Sequence, residues 1–368
     1  MNLDELLELS ERQVCADALL SAGEVQGQVM AMQLRGLRDE AAEQELESLV
    51  RLILHGEAAT DGETVVLEWD RGFVSAVRWP GYEGWEFLEQ GLLALIELLS
   101  TPAELVQALP WNPKFGAVER VKARRALMHL RTVHLGPYEI RPSMNDLWRL
   151  IGEHPLPPMV KELIVADVPH RHRDEHQITW LELGNVSLAW PGLRQLESLS
   201  LRGSWPLFGE IDLPALKRFA IETSTLSSVD EFRAARWPKL ESLSLSFGDD
   251  RYNPTPCPLE DVKALIRELP TSLKHLGLRN ATFTEQLIPV LARSMVLPHL
   301  ESLDLTWGVL LDGAPVLLEH ATALRHLHRL DVTDTGLQDF VEVQRAIPGL
   351  FRGSEWRTKT HRYVSISE

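Results

Sequence analysis

Leucines recur along residues 240–338 in a single phrase. Leu240, Leu243 and Leu245 spell L-x-x-L-x-L, and Leu273, Leu276 and Leu278, then Leu300, Leu303 and Leu305, then Leu327, Leu330 and Val332 repeat it. The last three copies start 27 residues apart. The L-x-L half alternates apolar and polar positions, which predicts a short strand with one face in a core and one in solvent. Weaker copies run upstream through Leu130, Val133 and Leu135; Val160, Leu163 and Val165; Ile178, Leu181 and Leu183; Leu196, Leu199 and Leu201; and Leu216, Phe219 and Ile221. Successive starts from Leu130 are 30, 18, 18, 20, 24, 33, 27 and 27 residues apart. The short spacings leave room for a strand and a tight return, the long ones for a helix. Helical periodicity with start signals predicts helices from Val229 to Trp237 behind Ser228, from Leu259 to Leu269, from Thr284 to Ala292, from Asp312 through Leu324 and from Leu337 to Ile347.

A strand phrase at this period is that of the leucine-rich repeat. The expected fold class is therefore α/β: a leucine-rich-repeat solenoid, a parallel β-sheet horseshoe with outer helices, preceded by a small helical N-terminal module. The ninth position of the phrase, usually Asn or Cys, is Val186, Ser224, Ala281, Gly308 and Thr335 here, so a less regular, less uniformly curved arc than the consensus gives is expected.

Ahead of the repeats, residues 3–54 read as helices with apolar faces at Leu3, Leu6 and Leu7, at Val29 and Met30, and at Leu46, Leu49, Val50 and Ile53. The run Glu40, Glu43, Glu45 and Glu47 reads as a solvated helix face. Residues 56–63 read as a linker. Val65–Trp69 and Phe73–Trp79 read as strands of a hairpin, Trp85–Leu99 as a helix, and Thr101 before Pro102 as the start of another running to Leu109. The implied division is 1–63, an acidic helical module; 64–128, hairpin and helices forming a cap; 129–349, the solenoid; and 350–368, a basic tail or cap.

Residues Arg12-Gln13-Val14-Cys15-Ala16-Asp17-Ala18-Leu19-Leu20, then Gly23-Glu24, Gly27 and Ala31-Met32-Gln33, resemble the bacterial repeat-companion domain, a short module found ahead of leucine-rich-like repeats. The match holds at Arg12, Val14, Ala16, Asp17, Leu19, Gly23, Gly27 and Gln33 and departs at Cys15, Ala18, Gln26 and Gln28. Counting Trp69-Asp70-Arg71-Gly72-Phe73-Val74, the likeness covers residues 10–80. It implies an architecture and a bacterial source; it carries no catalytic role.

The formal charge is −16, and residues 1–63 hold 14 acidic and 4 basic side chains. That balance disfavours nucleic acid and anionic membrane surfaces and favours a protein partner, a basic one if it is charged. Residues 350–368 hold 4 basic and 2 acidic side chains. The two cysteines, Cys15 and Cys257, lie in separate modules, so no structural disulfide is expected, in keeping with a reducing compartment. The first residues show no basic leader before an apolar run, and the longest apolar run, 91–99, is interrupted by Glu97, so a cytoplasmic location is expected.

Catalytic signatures are missing: GxSxG, GxxxxGK[ST], HExxH and CxxC do not occur. His170, His172 and His176 lack a zinc spacing and are interleaved with Arg171 and Arg173, so that segment reads as a loop between repeats. His320, His326 and His328 read as helix-end caps. No catalytic residue, cofactor or metal is expected. Alternation along the strands instead points to the concave face, where Trp180, Glu182, Glu222, His275, Arg279, Asp304, Trp307 and Asp331 project, with Tyr252 on the adjacent 248–258 insert. That insert reads equally as a binding loop and as a proline-stiffened connector. The expected function is a non-enzymatic protein-interaction scaffold. Two alternatives are an acidic inhibitor or immunity protein that neutralises a basic enzyme such as a nuclease toxin, and an enzyme of unrecognised type.

Overall fold

The computed structural model describes residues 12–21, 23–35, 39–55, 65–70, 73–79, 85–102, 105–106, 117–136, 143–166, 178, 181–248 and 255–353. Contacts divide the chain into two units. The first takes 1–142 and 153–164, the second 143–152 and 165–368.

In the first unit, helices α1 (Arg12–Ser21), α2 (Val25–Leu34) and α3 (Glu40–His55) come before a hairpin of β1 (Val66–Asp70) and β2 (Phe73–Trp79). Helices α4 (Trp85–Ser100) and α5 (Ala117–Leu127) follow, then strands β3 (Thr132–Leu135) and β4 (Glu162–Val165), the latter all but its last residue in this unit. β1 runs antiparallel to β2, with Asp70 opposite Phe73, and β2 runs parallel to β3. Ala16, Leu19, Met30, Ala31 and Phe73 form one buried cluster. Two glycines have physical reasons to be glycine. Gly23 turns the chain between α1 and α2 at φ +73, and a Cβ on Gly27 would stand 2.4 Å from Leu20 N and 2.7 Å from Leu19 Cβ. β3, expected as the first strand of the repeats, lies in this unit. The expected Leu3–Leu7 face and the 56–63 linker fall outside the described residues. So does most of the Pro102–Leu109 helix.

In the second unit, strands β5 (Ser198–Arg202), β6 (Arg218–Glu222), β7 (Ser242–Ser246), β8 (His275–Arg279), β9 (Ser302–Asp304), β10 (Arg329–Asp331) and β11 (Leu350–Phe351) are neighbours in chain order. Each pairs in parallel with the next, so the sheet is open and leucine-rich-repeat-like. The register aligns the phrase with itself: Phe219 stands opposite Leu243, Leu243 opposite Leu276, Leu276 opposite Leu303 and Leu303 opposite Leu330. All five are buried, so the leucine period builds one ladder through the core. β11 is an addition the pattern did not predict. Leu350 continues the ladder opposite Leu330, and the phrase stops after Ile347 and Leu350. Among its described residues, the copy Ile178, Leu181 and Leu183 contributes an isolated bridge, Glu182 to Ser204.

Helix α6 (Met144–Glu153), all but its last residue in this unit, buries Leu147, Trp148, Leu150 and Ile151, and Trp148 Nε1 donates to Leu183 O at 2.6 Å. Helix α7 is the single turn Trp190–Leu193. Helices α9 (Leu259–Glu268) and α10 (Thr284–Ala292) lie where expected, α9 burying Val262, Leu265 and Ile266 at helical spacing. Others are corrected. The Val229–Trp237 helix shrinks to α8 (Asp230–Arg233), because Phe232 and Trp237 stack at 6.1 Å and both pack on Phe219. Ser228 Oγ does accept from Asp230 N, at 3.0 Å. The Asp312–Leu324 helix is two pieces, α11 (Ala314–Glu319) and α12 (Ala321–Leu324), broken at His320. Thr284 is the first helical residue and not a cap: its hydroxyl donates to Ala281 O at 2.7 Å. The last helix, α13, covers Phe340–Ala346. Successive repeats are also tied outside the core. Arg233 reaches Glu268 with Nε and Nη2, at 2.9 and 2.8 Å, and holds that carboxyl below its ordinary range.

No helix among the described residues is long and apolar enough to cross a membrane.

Candidate protein-binding face

Strand alternation puts the leucines inside and two or three side chains per strand on the opposite face of the second unit's sheet. The registers line these side chains into rows. One row runs Ser198, Arg218, Ser242, His275, Ser302 and Arg329. The next runs Ser200, Ala220, Ser244, Gly277, Asp304 and Asp331. Gly277 keeps this row close, since a Cβ there would lie 2.6 Å from Ser244 Oγ.

The C-terminal end of the face carries the chemistry. His275 Nδ1 and Ser302 Oγ are 2.8 Å apart. Arg279 lies over the ring of Trp307, its Cζ 4.4 Å from the centroid, while its Nε donates to Thr306 Oγ1 at 3.2 Å and sits 3.4 Å from Asp304 Oδ2. One repeat on, Arg329 lies 3.7 Å over the ring of Phe351, and its Nη2 is 2.6 Å from Asp331 Oδ2.

The two aspartates also build the turns. Asp304 Oδ1 accepts from Thr306 N at 2.9 Å, and Asp331 Oδ1 accepts from Thr333 N at 3.0 Å and from Thr333 Oγ1 at 2.6 Å. A carboxylate that captures the amide two residues on fixes a tight turn. The chain then passes through the left-handed region at Trp307 (φ +61) and Asp334 (φ +57), and at the equivalent Asn280 (φ +55) one repeat earlier. Asn and Asp tolerate this conformation; a tryptophan does so at roughly 1–2 kcal/mol. Trp307 is half-buried. Bulky residues in the left-handed region concentrate at functional sites.

The other expected residues separate into groups. Glu182 is exposed, on its isolated bridge. Glu222 is half-buried and accepts from Arg202 Nε at 3.2 Å, and the Arg202 side chain is only 4% exposed, so this pair serves the sheet. Asp331 is buried and engaged as above, a turn builder more than a projecting group. Ser246 and Thr306, at the ends of their strand copies, are buried, and Ser246 Oγ donates to Thr223 O at 3.0 Å. Trp180, Tyr252, the His170–His176 cluster and residues 354–368 lie outside the described residues, as does the Cys15 side chain. Cys257 is free and buried; desolvation, with Asp261, Asp230 and Glu231 nearby, pushes its thiol up to about 12. Among the described residues, no group of three or more His, Cys, Asp or Glu could hold a metal.

Sequence reasoning missed two aromatics. Phe351 backs Arg329 because β11 exists. Trp205 follows β5 in the left-handed region (φ +51), is 42% exposed and donates its backbone N–H to Thr225 Oγ1 at 2.6 Å. Nothing in leucine periodicity marks either one. His326 meets the expectation of a helix-end cap: Nδ1 lies 2.9 Å from Ala323 O and Nε2 2.9 Å from Leu297 O, in the preceding repeat. In the first unit, a cleft of about 180 Å³ opens among Gln26, Glu45, Leu49 and Lys122. Its cations Arg125 and Lys122 stand 3.3 and 3.8 Å from Glu24.

No family model matches the chain, and no curated protein matches it. Among solved structures, a crystal structure of a protein from Bacteroides fragilis matches with TM-score 0.55 at 24% identity, covering 65% of this chain and 68% of that one. At that identity the likeness concerns the fold alone. The leucine-rich repeat-containing protein LegL7 from Legionella pneumophila matches with TM-score 0.39 at 15% identity, over 76% of this chain and 82% of that one, too distant a superposition to carry an argument.

Proposed function

We propose that this chain is a non-enzymatic scaffold that takes a protein partner on the exposed face of its repeat sheet, at the end built by β8, β9 and β10. The observation that carries the reading is Trp307, a strained, half-buried tryptophan stacked under Arg279, standing where the neighbouring repeats place Asn280 and Asp334. Tryptophan and arginine are the residues in which interface energy concentrates. The helical first module is proposed to be a repeat-companion-like domain on the likeness of residues 10–80.

The inhibitor reading rests on net charge, and that charge is concentrated elsewhere. Residues 1–63 hold 14 of the acidic side chains and 4 basic ones, whereas Asp304 and Asp331 on the face are each paired with an arginine. The His275–Ser302 pair sits on an open face with His275 exposed, which gives an enzyme reading no enclosed site. The test is affinity capture with the full chain beside a Trp307→Asn variant. A stoichiometric protein held by the wild type and lost from the variant is the expected result. Recovery of no partner, together with turnover of a small molecule by the purified protein, overturns the reading.

A further inference from the structure

The hydrogen bonds of the face leave an excess of one kind of group. Asp331 is taken up by Arg329 and Thr333, and Asp304 by Thr306 N and Arg279. The arginines are less fully used. Arg279 spends Nε on Thr306 and Asp304 and lays its plane on Trp307; among the described residues no group bonds its Nη1 or Nη2. Arg329 spends Nε and Nη2 on Asp331 and lies over Phe351, and its Nη1 is likewise without a partner among the described residues. The unmet capacity of this face is therefore to donate.

In a guanidinium the Nη1–Nη2 edge is opposite Nε, and its two parallel N–H bonds match the two oxygens of a carboxylate. The Arg279 guanidinium is held by the Trp307 ring against its plane and by Asp304 and Thr306 at Nε, so little freedom is lost when an anion docks on its Nη edge. Asp304 addresses Arg279 from its Nε side, and no group among the described residues takes up the Nη edge. Building on the scaffold reading, we infer that the partner presents an acidic peptide segment, one of whose Asp or Glu carboxylates bonds the Nη1–Nη2 edge of Arg279 beside Trp307. This reverses the basic partner expected from net charge. A polyanion such as a nucleic acid is disfavoured by the chain's −16, which does not prevent a single local carboxylate from binding.

The test selects a random-peptide display library on the full chain and measures the enriched peptides, synthesised with a fluorescent label, against wild type, Arg279→Lys and Trp307→Asn. Thermal melts confirm that both variants fold. Lysine keeps the charge and removes the fork. The inference expects enriched peptides to carry Asp or Glu, and Arg279→Lys to weaken them about tenfold or more. Replacing the peptide's Asp or Glu by Asn or Gln is expected to lose as much, and the two changes together no more than either alone. Peptides lacking Asp and Glu that respond to Trp307→Asn and ignore Arg279→Lys overturn the inference and leave the scaffold reading standing. Tighter binding when phosphoserine replaces the acidic residue also overturns it, in favour of a phosphate site. If no enriched peptide responds to either variant, the scaffold reading at this face fails, and the inference with it.

Discussion

Strands β5 to β7 and strands β8 to β10 share an interior and differ on the outside. Inside, Leu199, Phe219 and Leu243 continue directly into Leu276, Leu303 and Leu330. Outside, the first group shows Ser200, Ser242 and Ser244, while the second shows His275, Arg279, Asp304, Trp307 and Arg329. The leucine ladder holds either exterior equally well, so the fold does not dictate the chemistry of the face. That freedom is what a repeat protein can use to place a binding site on part of its sheet.

The comparison yields a graded set of expectations. The largest concerns the shared interior. Leu243→Ala and Leu276→Ala, one beneath each exterior, should each destabilise by about 2–5 kcal/mol in denaturant unfolding, since each leaves a cavity between fully buried neighbours. A large inequality between them would mean that the two halves are not one ladder. Next comes the Arg202–Glu222 pair, at the ends of β5 and β6. Glu222→Ala removes a charged partner of the buried Arg202 and should lower stability by about 1.5–3 kcal/mol, an effect unexpected of a residue that only projects toward a partner. An alkaline titration should report on the buried Cys257 thiol. The Cys257 thiol is raised in the folded protein to about 12 from an ordinary 9.0, so the unfolded chain ionises first and stability should fall as pH rises between those values; Cys257→Ser should flatten that fall. The smallest effect belongs to the serine-rich exterior, where Ser244→Ala should change stability by no more than about 0.5 kcal/mol and leave partner binding untouched.

The ladder was legible in the sequence because alternation within L-x-x-L-x-L encodes which side is buried, and because Leu243, Leu276, Leu303 and Leu330 recur in register. Helices α9 and α10 were legible for the same reason, their apolar residues falling at helical spacing. Where the reading failed, long-range packing had replaced local preference. Phe232 and Trp237 abandon the helical path between Val229 and Trp237 to join Phe219 and Phe208. β11 escaped notice because only Ile347 and Leu350 of its phrase are present. On the face, alternation named Arg279, His275 and Asp304, yet it treated Asp331 and Glu222 as free when both are engaged by arginines. It could not show that Trp307 is left-handed, because that follows from the turn which Asp304 closes.

The most direct measurement is the thermal melt of Trp307→Asn beside that of Leu276→Ala. If Trp307 belongs to the exposed face and is held there under strain, asparagine, the residue that occupies the equivalent position 280, should fold at least as stably as tryptophan, and the variant should melt at or slightly above the wild-type temperature while Leu276→Ala melts several degrees lower. If Trp307→Asn falls as far as Leu276→Ala, tryptophan at 307 is a core residue, and the face assigned to β8, β9 and β10 is wrong.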